Sequence, residues 1–271
     1  MEKAEIERAK RKPTESIDAY ALYLRGMERF NQFGDHESND EALGLLYRAI
    51  ELDPDFAAAY GRAAACYANT IAHGRISDTA NNIAEVKRLV RRAVELGKDD
   101  ATTVAACGWA SAYFVRDLEV AAGLIDRALM LNSNLAMAWQ YGGWVKNWLG
   151  EPERAIERFA RSMRLSPLDP RVNGNRGGTA HAHFFLGRYD EAVSWAAMAL
   201  RDNPDYQPGL RIYAAGNAMA GRLEQAHRSV ARLRELNPAL RVSNLKAGLG
   251  PYRHAEMSQY EEGLRRAGLP E

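Results

Sequence analysis

Residues 136–169 read AMAWQYGGWVKNWLGEPERAIERFARSMRLSPLD, and the fold follows from them. Gly150 suits the left-handed residue that stops one helix, and Ala155, five residues on, lies in the next. Pro167, twelve residues further, ends that second helix, because proline cannot continue one. The stretch is therefore a helical hairpin. Small residues at Gly143 and Ala155 let its two helices approach, and larger ones such as Trp139 and Phe159 fill the gaps. Gly143 is predicted at the crossing, so that Gly143→Leu overpacks it at a cost of about 1–3 kcal/mol.

Working outward, the same unit recurs. YRAIELDPDFAAAY (47–60), RRAVELGKDDATTV (91–104), DRALMLNSNLAMAW (126–139), ARSMRLSPLDP (160–170), AMALRDNPDYQPGL (197–210) and VARLRELNPALRV (230–242) each join a helix end, a short turn and a helix start. Their turn residues, Pro54, Lys98, Ser133, Pro167, Pro204 and Pro238, are spaced by 44, 35, 34, 37 and 34 residues. LGEPERA, LGRYDEA and AGRLEQA repeat the glycine-to-alanine step at Gly150, Gly187 and Gly221. Alanine and arginine are abundant and favour helix, and no two-residue alternation supports a strand.

The expected fold is all-α: a right-handed superhelical solenoid of about six hairpins with a C-terminal capping helix. The hairpins are placed at 17–56, 57–100, 101–135, 136–169, 170–206 and 207–240, after a charged N-terminal linker or helix at 1–16. A connector and HAEMSQYEEGLRRAG (254–268) fill 241–271, the latter as an amphipathic helix whose polar face shields the last repeat. GDHESND (34–40) and HGRISDTANN (73–82) read as polar inserts, and VNGNRGG (172–178) as an irregular turn, being a poor helix former.

The pattern resembles the tetratricopeptide repeat, whose period is 34 residues. Trp139, Gly143, Ala155, Phe159 and Pro167 occupy that family's fourth, eighth, twentieth, twenty-fourth and thirty-second positions. RKPTESIDAYALYLRG (11–26), RAIELDPDFAAAY, SPLDP, FFLGRYDEA and YEEGLRRAGLPE look like the C-terminal repeat region of bacterial multidomain regulators. There, similar repeats follow an adenylate cyclase-type catalytic domain or a winged-helix DNA-binding domain. The resemblance implies a sensory or regulatory module, with an effector domain upstream.

Composition excludes several function classes. A net charge of +1 and a pI near 7.8 offer no cationic surplus for nucleic acid. The basic run KRLVRR (87–92) reads as a solvated face. Cys66 and Cys107 lack metal-ligand or disulfide spacing, which points to a reducing cytoplasm. MEKAEIERAKRKP has no apolar core for a signal peptide, and no run suits a membrane span. His181 and His183, two apart on a helix, point in different directions and make a poor chelate. NGNRGG (173–178) lacks the phosphate-loop arrangement. The conspicuous aspartates Asp53, Asp169, Asp190 and Asp205 fall at turns, where they cap helices. The reading is a protein with no catalytic site, metal or cofactor.

In tetratricopeptide arrays the first helix of each hairpin lines the concave face, along positions two, five, nine and twelve. That stripe holds Tyr20, Tyr23, Met27 and Phe30, then Trp109 with Tyr113, then Gln140, Trp144 and Asn147 with Trp148, then His181 and Phe184, then Arg211. Aromatic residues there anchor a partner, or they fill the seam between repeats. Trp109 and Trp144 are expected side by side, with Trp148 one turn along and Phe184 in the next repeat. Position nine carries no asparagine, so a clamp for chaperone tails is unsupported. The expected partner is a protein or peptide segment in the groove, or an upstream effector domain in cis, with pairing of two copies as a further reading.

Overall fold

Among the residues that a computed structural model describes (residue 14 and residues 16–31, 36–72, 79–169 and 172–271), the chain is helical throughout, with no strand. Six hairpins follow one another: α1 (Ile17–Phe30) with α2 (His36–Leu52), and α3 (Ala57–Ala72) with α4 (Thr79–Leu96). Next come α5 (Ala101–Ala110), prolonged by a π-helical turn at Ser111–Val115, with α6 (Leu118–Leu131), and α7 (Ala136–Trp148) with α8 (Pro152–Leu165). The last two are α9 (Val172–Phe185) with α10 (Tyr189–Asp202), and α11 (Gln207–Met219) with α12 (Leu223–Leu236). A 3-10 turn (Val242–Asn244), a single turn α13 (Leu245–Gly248) and α14 (His254–Arg266) complete the chain. The expected 1–16 segment lies outside the described residues apart from Thr14 and Ser16, and so do 34–35 and 73–78 of the two polar inserts.

Local chemistry sets the hairpin turns. Gly150, Gly187 and Gly221 have φ of 72°, 73° and 80°, the left-handed cap that glycine reaches without steric cost. Each is followed by an amide that bonds five residues back: Glu151 to the Lys146 carbonyl, Arg188 to His183, and Arg222 to Asn217. The third hairpin uses Arg116 at this position, with φ of 60° and a Cβ to accommodate. That conformation costs about 1–2 kcal/mol for a residue bearing a Cβ. Between hairpins, Asp53, Asn132 and Asn203 accept the amide two residues on through their side chains.

Gly143 sits where α7 meets α8. A Cβ there would lie 2.6 Å from the Phe159 ring. The same ring is faced from the next hairpin by Gly178, where a Cβ would lie 2.1 Å away. This explains why the 172–178 stretch, expected to be an irregular turn, is helical from Val172. Its glycines let α9 come close enough to bury Phe159, and packing overrides their weak helix propensity.

The C-terminus departs from the sequence reading in its direction. Instead of merely shielding the last repeat, α14 turns inward over the first helices of repeats four to six. Gln259 donates to the Phe184 carbonyl at 3.0 Å, Gly263 packs on Ala215, and the Glu256 carboxylate approaches Gly150. The preceding connector runs further back along the array, and α13 touches α3.

Candidate functional site

The first helices of the hairpins converge on one cavity of about 340 Å³ at the centre of the superhelix. Eight of the side chains singled out from the sequence line it: Phe30, Trp109, Tyr113, Gln140, Trp144, Trp148, His181 and Arg211. Their rings form one continuous cluster. Trp109 stacks on Tyr141 at 4.7 Å and on Trp148 at 5.4 Å, and Trp144 lies 6.0 Å from Trp148 and 5.2 Å from His181. Trp148 thus stands between Trp109 and Trp144, which the sequence placed side by side.

The remaining four do not line the cavity. Asn147 is fully buried, its amide donating to the Gly178 carbonyl at 2.8 Å, so it ties α7 to α9 and cannot orient a ligand. Phe184 is fully buried against Tyr189, Phe185 and Tyr260. Tyr23 packs on Phe56 at 5.0 Å, and Met27 is half-buried against the core. Even the lining residues are structural in part. The Trp144 indole donates to the Gly174 carbonyl at 3.1 Å, which fixes α7 to the next hairpin.

The expected open wall is covered by the chain itself. Gly250 lies so close over Trp148 that a Cβ would fall 2.2 Å from the indole. Tyr252 stacks on His181 at 6.2 Å and meets Phe185 at 5.3 Å. Arg116 holds this strap from the opposite side, its guanidinium donating to the Lys246 carbonyl at 3.0 Å and reaching that of Leu249 at 3.5 Å. The left-handed arginine that strains the third turn is therefore the residue that grips the strap.

Electrostatically the site is an aromatic box with one buried cation, Arg211, and one carboxylate, Asp205, that is paired with Arg232. Burial pushes the His181 imidazole down to about 3, against the support of its bond to the Gly177 carbonyl, so the ring is uncharged at neutral pH. Burial raises Tyr113 and Tyr260 to about 12, with Arg211 pulling both back. The buried thiols of Cys66 and Cys107, both raised to about 12 by burial, lie in the core away from the cavity wall. Among the described residues no three His, Cys, Asp or Glu side chains gather as a metal site, and no helix is long and apolar enough to cross a membrane.

Tyr141, Tyr206, Leu249, Gly250 and Tyr252 are among the further lining residues and were not read from the sequence. GLGPYR (248–253) did carry a signal: a connector bearing Leu249 and Tyr252 is more apolar than a solvated linker requires.

No protein-family model matches the chain, and no curated protein matches it. Solved structures do. The chain is similar to TTC0263, described as a thermophilic TPR protein in Thermus thermophilus, with a TM-score of 0.54 and 18% identity over 79% of this chain and 98% of that one. It is similar to Pseudomonas aeruginosa pilF, with a TM-score of 0.55 and 16% identity over 90% and 97% of the two chains. The APC/C hetero-tetramer Cut9–Hcn1 gives a TM-score of 0.63 and 13% identity, over 92% of this chain and 46% of that one. At such identities the likeness is one of fold. The class is a helical-repeat solenoid of the tetratricopeptide type.

Proposed function

We propose that the chain is an interaction scaffold whose concave groove grips an extended segment, and that it works as the regulatory module of a larger bacterial cyclase- or transcription-regulator-like protein. One observation carries the first half: the groove already holds a non-helical stretch, residues 249–253, tightened by a bond from the Tyr252 amide to the Gly250 carbonyl, with Gly250 on Trp148 and Tyr252 on His181. Non-helical backbone laid over aromatic side chains is how such grooves recognise peptides. The regulator context rests on the sequence resemblance alone. In this reading the chain carries no catalysis itself, and its partner is a peptide segment or an effector domain held in cis.

The test is to displace the strap and supply it in trans. Gly250→Leu places a side chain where Trp148 already stands, so the strap lifts and the wall opens. A fluorescein-labelled peptide of residues 245–253 is then expected to bind the variant at least ten-fold more tightly than the parent chain. Failure of the peptide to bind the variant, with the fold intact by circular dichroism, contradicts the proposal.

A further inference from the structure

The wall of the cavity carries a buried cation without a counter-ion. Arg211, on the second turn of α11, is 4% exposed and lines the cavity. Among the described residues no carboxylate pairs with it, and its Nε has no hydrogen-bond partner. The carboxylate on the same wall, Asp205, is already engaged by Arg232 at 2.7 Å. The phenols of Tyr113, Tyr206, Tyr252 and Tyr260 lie around the guanidinium, but burial raises all four, so none is an anion at neutral pH. His181 beside them is neutral as well. The Tyr260 hydroxyl approaches the guanidinium as a neutral partner, but a guanidinium removed from water without a counter-ion is unfavourable, and apolar packing would serve a purely structural role better.

A second observation points the same way. The buried indole N–H of Trp109, on this wall, has no hydrogen-bond partner, and that of Trp148 has only a loose approach to the Tyr252 hydroxyl. Both are donors only, as is the guanidinium. Gln207 Oε1 is the single unmet acceptor among the lining residues. An anion would supply acceptors to these donors.

Shape restricts the ligand further. The strap lines the cavity through Leu249, Gly250 and Tyr252. Lining residues that reach solvent include Asn203, Asp205, Gln207, Pro208 and Leu236 around the start of α11, which gives a small ligand a way in. The volume of about 340 Å³ falls at the lower end of small-molecule sites, which span about 300–1,000 Å³.

We propose that the cavity is a receptor site for a small organic anion, an aromatic or alicyclic carboxylate whose ring packs against Trp109, Trp144 and Trp148 and whose carboxylate pairs with Arg211. The site is distinct from the peptide-gripping role, because the ligand occupies the cavity that remains with the strap in place.

The full chain tests this with three probes read by tryptophan fluorescence and calorimetry: 2-naphthoate, the neutral isostere 2-naphthamide, and inorganic phosphate. Naphthoate is expected to bind at least ten-fold more tightly than naphthamide, and phosphate is not expected to displace it. Arg211→Met is expected to abolish the preference for acid over amide, to keep naphthamide binding, and to leave the ligand-free melting temperature unchanged or raised. Equal binding of acid and amide, no binding of either, displacement by phosphate, or an unchanged preference in Arg211→Met overturns the proposal. Loss of the fold in Arg211→Met also counts against it, since the guanidinium is then structural.

Discussion

The two helices of the fourth hairpin differ sharply in how they are covered. α8 fully buries one narrow stripe, Ala155, Phe159 and Ser162, and leaves the rest partly or wholly exposed. α7 buries ten of its 13 residues, including Gln140, Asn147 and three aromatic side chains. An outer helix of a solenoid packs on one side only. An inner helix of an open solenoid would have a free face, and α7 has almost none, because its concave side lies under the strap and α14. The inner surface of this array is therefore a core, with one cavity left in it.

Substitutions on the two helices sharpen that difference. Trp144→Ala removes a 9%-exposed indole and leaves the Gly174 carbonyl without its donor. The expected loss is about 3–5 kcal/mol in denaturant unfolding, as for other buried tryptophans. A loss below about 1 kcal/mol would place Trp144 on an open groove after all. Gly143→Leu comes next, at about 3 kcal/mol, since the Cβ alone meets the Phe159 ring. Unchanged thermal stability would mean that the two helices do not cross there.

His181 supplies a pH test of the inner surface. Its folded pKa of about 3 lies below the ordinary value of 6.5. The unfolded chain therefore binds the extra proton first, and stability falls as pH drops from about 6.5 towards 3, by at most about 1.4 kcal/mol per pH unit. His183, also depressed by burial, acts in the same direction. His181→Asn should flatten the slope between pH 6.5 and 5, and an identical slope would show the imidazole to be solvated. The smallest effect belongs to the outer surface. Arg92→Ala breaks an exposed pair with Asp55, 2.8 Å long, and should cost less than about 1 kcal/mol.

The hairpins were legible because their signals are local. Gly150, Gly187 and Gly221 mark left-handed caps, and the prolines that follow mark helix ends, with no knowledge of the rest of the chain. The inner surface was half legible. The stripe of Trp109, Trp144, Trp148, His181 and Arg211 does converge, because helical periodicity alone brings those positions to one side. Whether such a stripe faces water depends on residues about 100 positions away. Gly250 covers Trp148, and Arg116 reaches the carbonyls of 246 and 249, and neither contact leaves a periodic trace. Arg116 also stands where the fourth to sixth hairpins keep glycine, so its strained turn had no sequence signal. The 172–178 helix was missed for a related reason: its glycines are selected by Phe159 and Tyr206, which the local sequence does not contain.

The strap over the aromatic wall is most directly tested by nuclear Overhauser contacts in the full chain, labelled selectively at glycine, tyrosine and tryptophan. Contacts from the Gly250 Hα protons to the Trp148 indole, and from the Tyr252 ring to the His181 imidazole, are the expected result, together with weak acrylamide quenching of tryptophan fluorescence. Absence of both contacts, with Trp148 open to quencher, would show a bare groove and contradict the account.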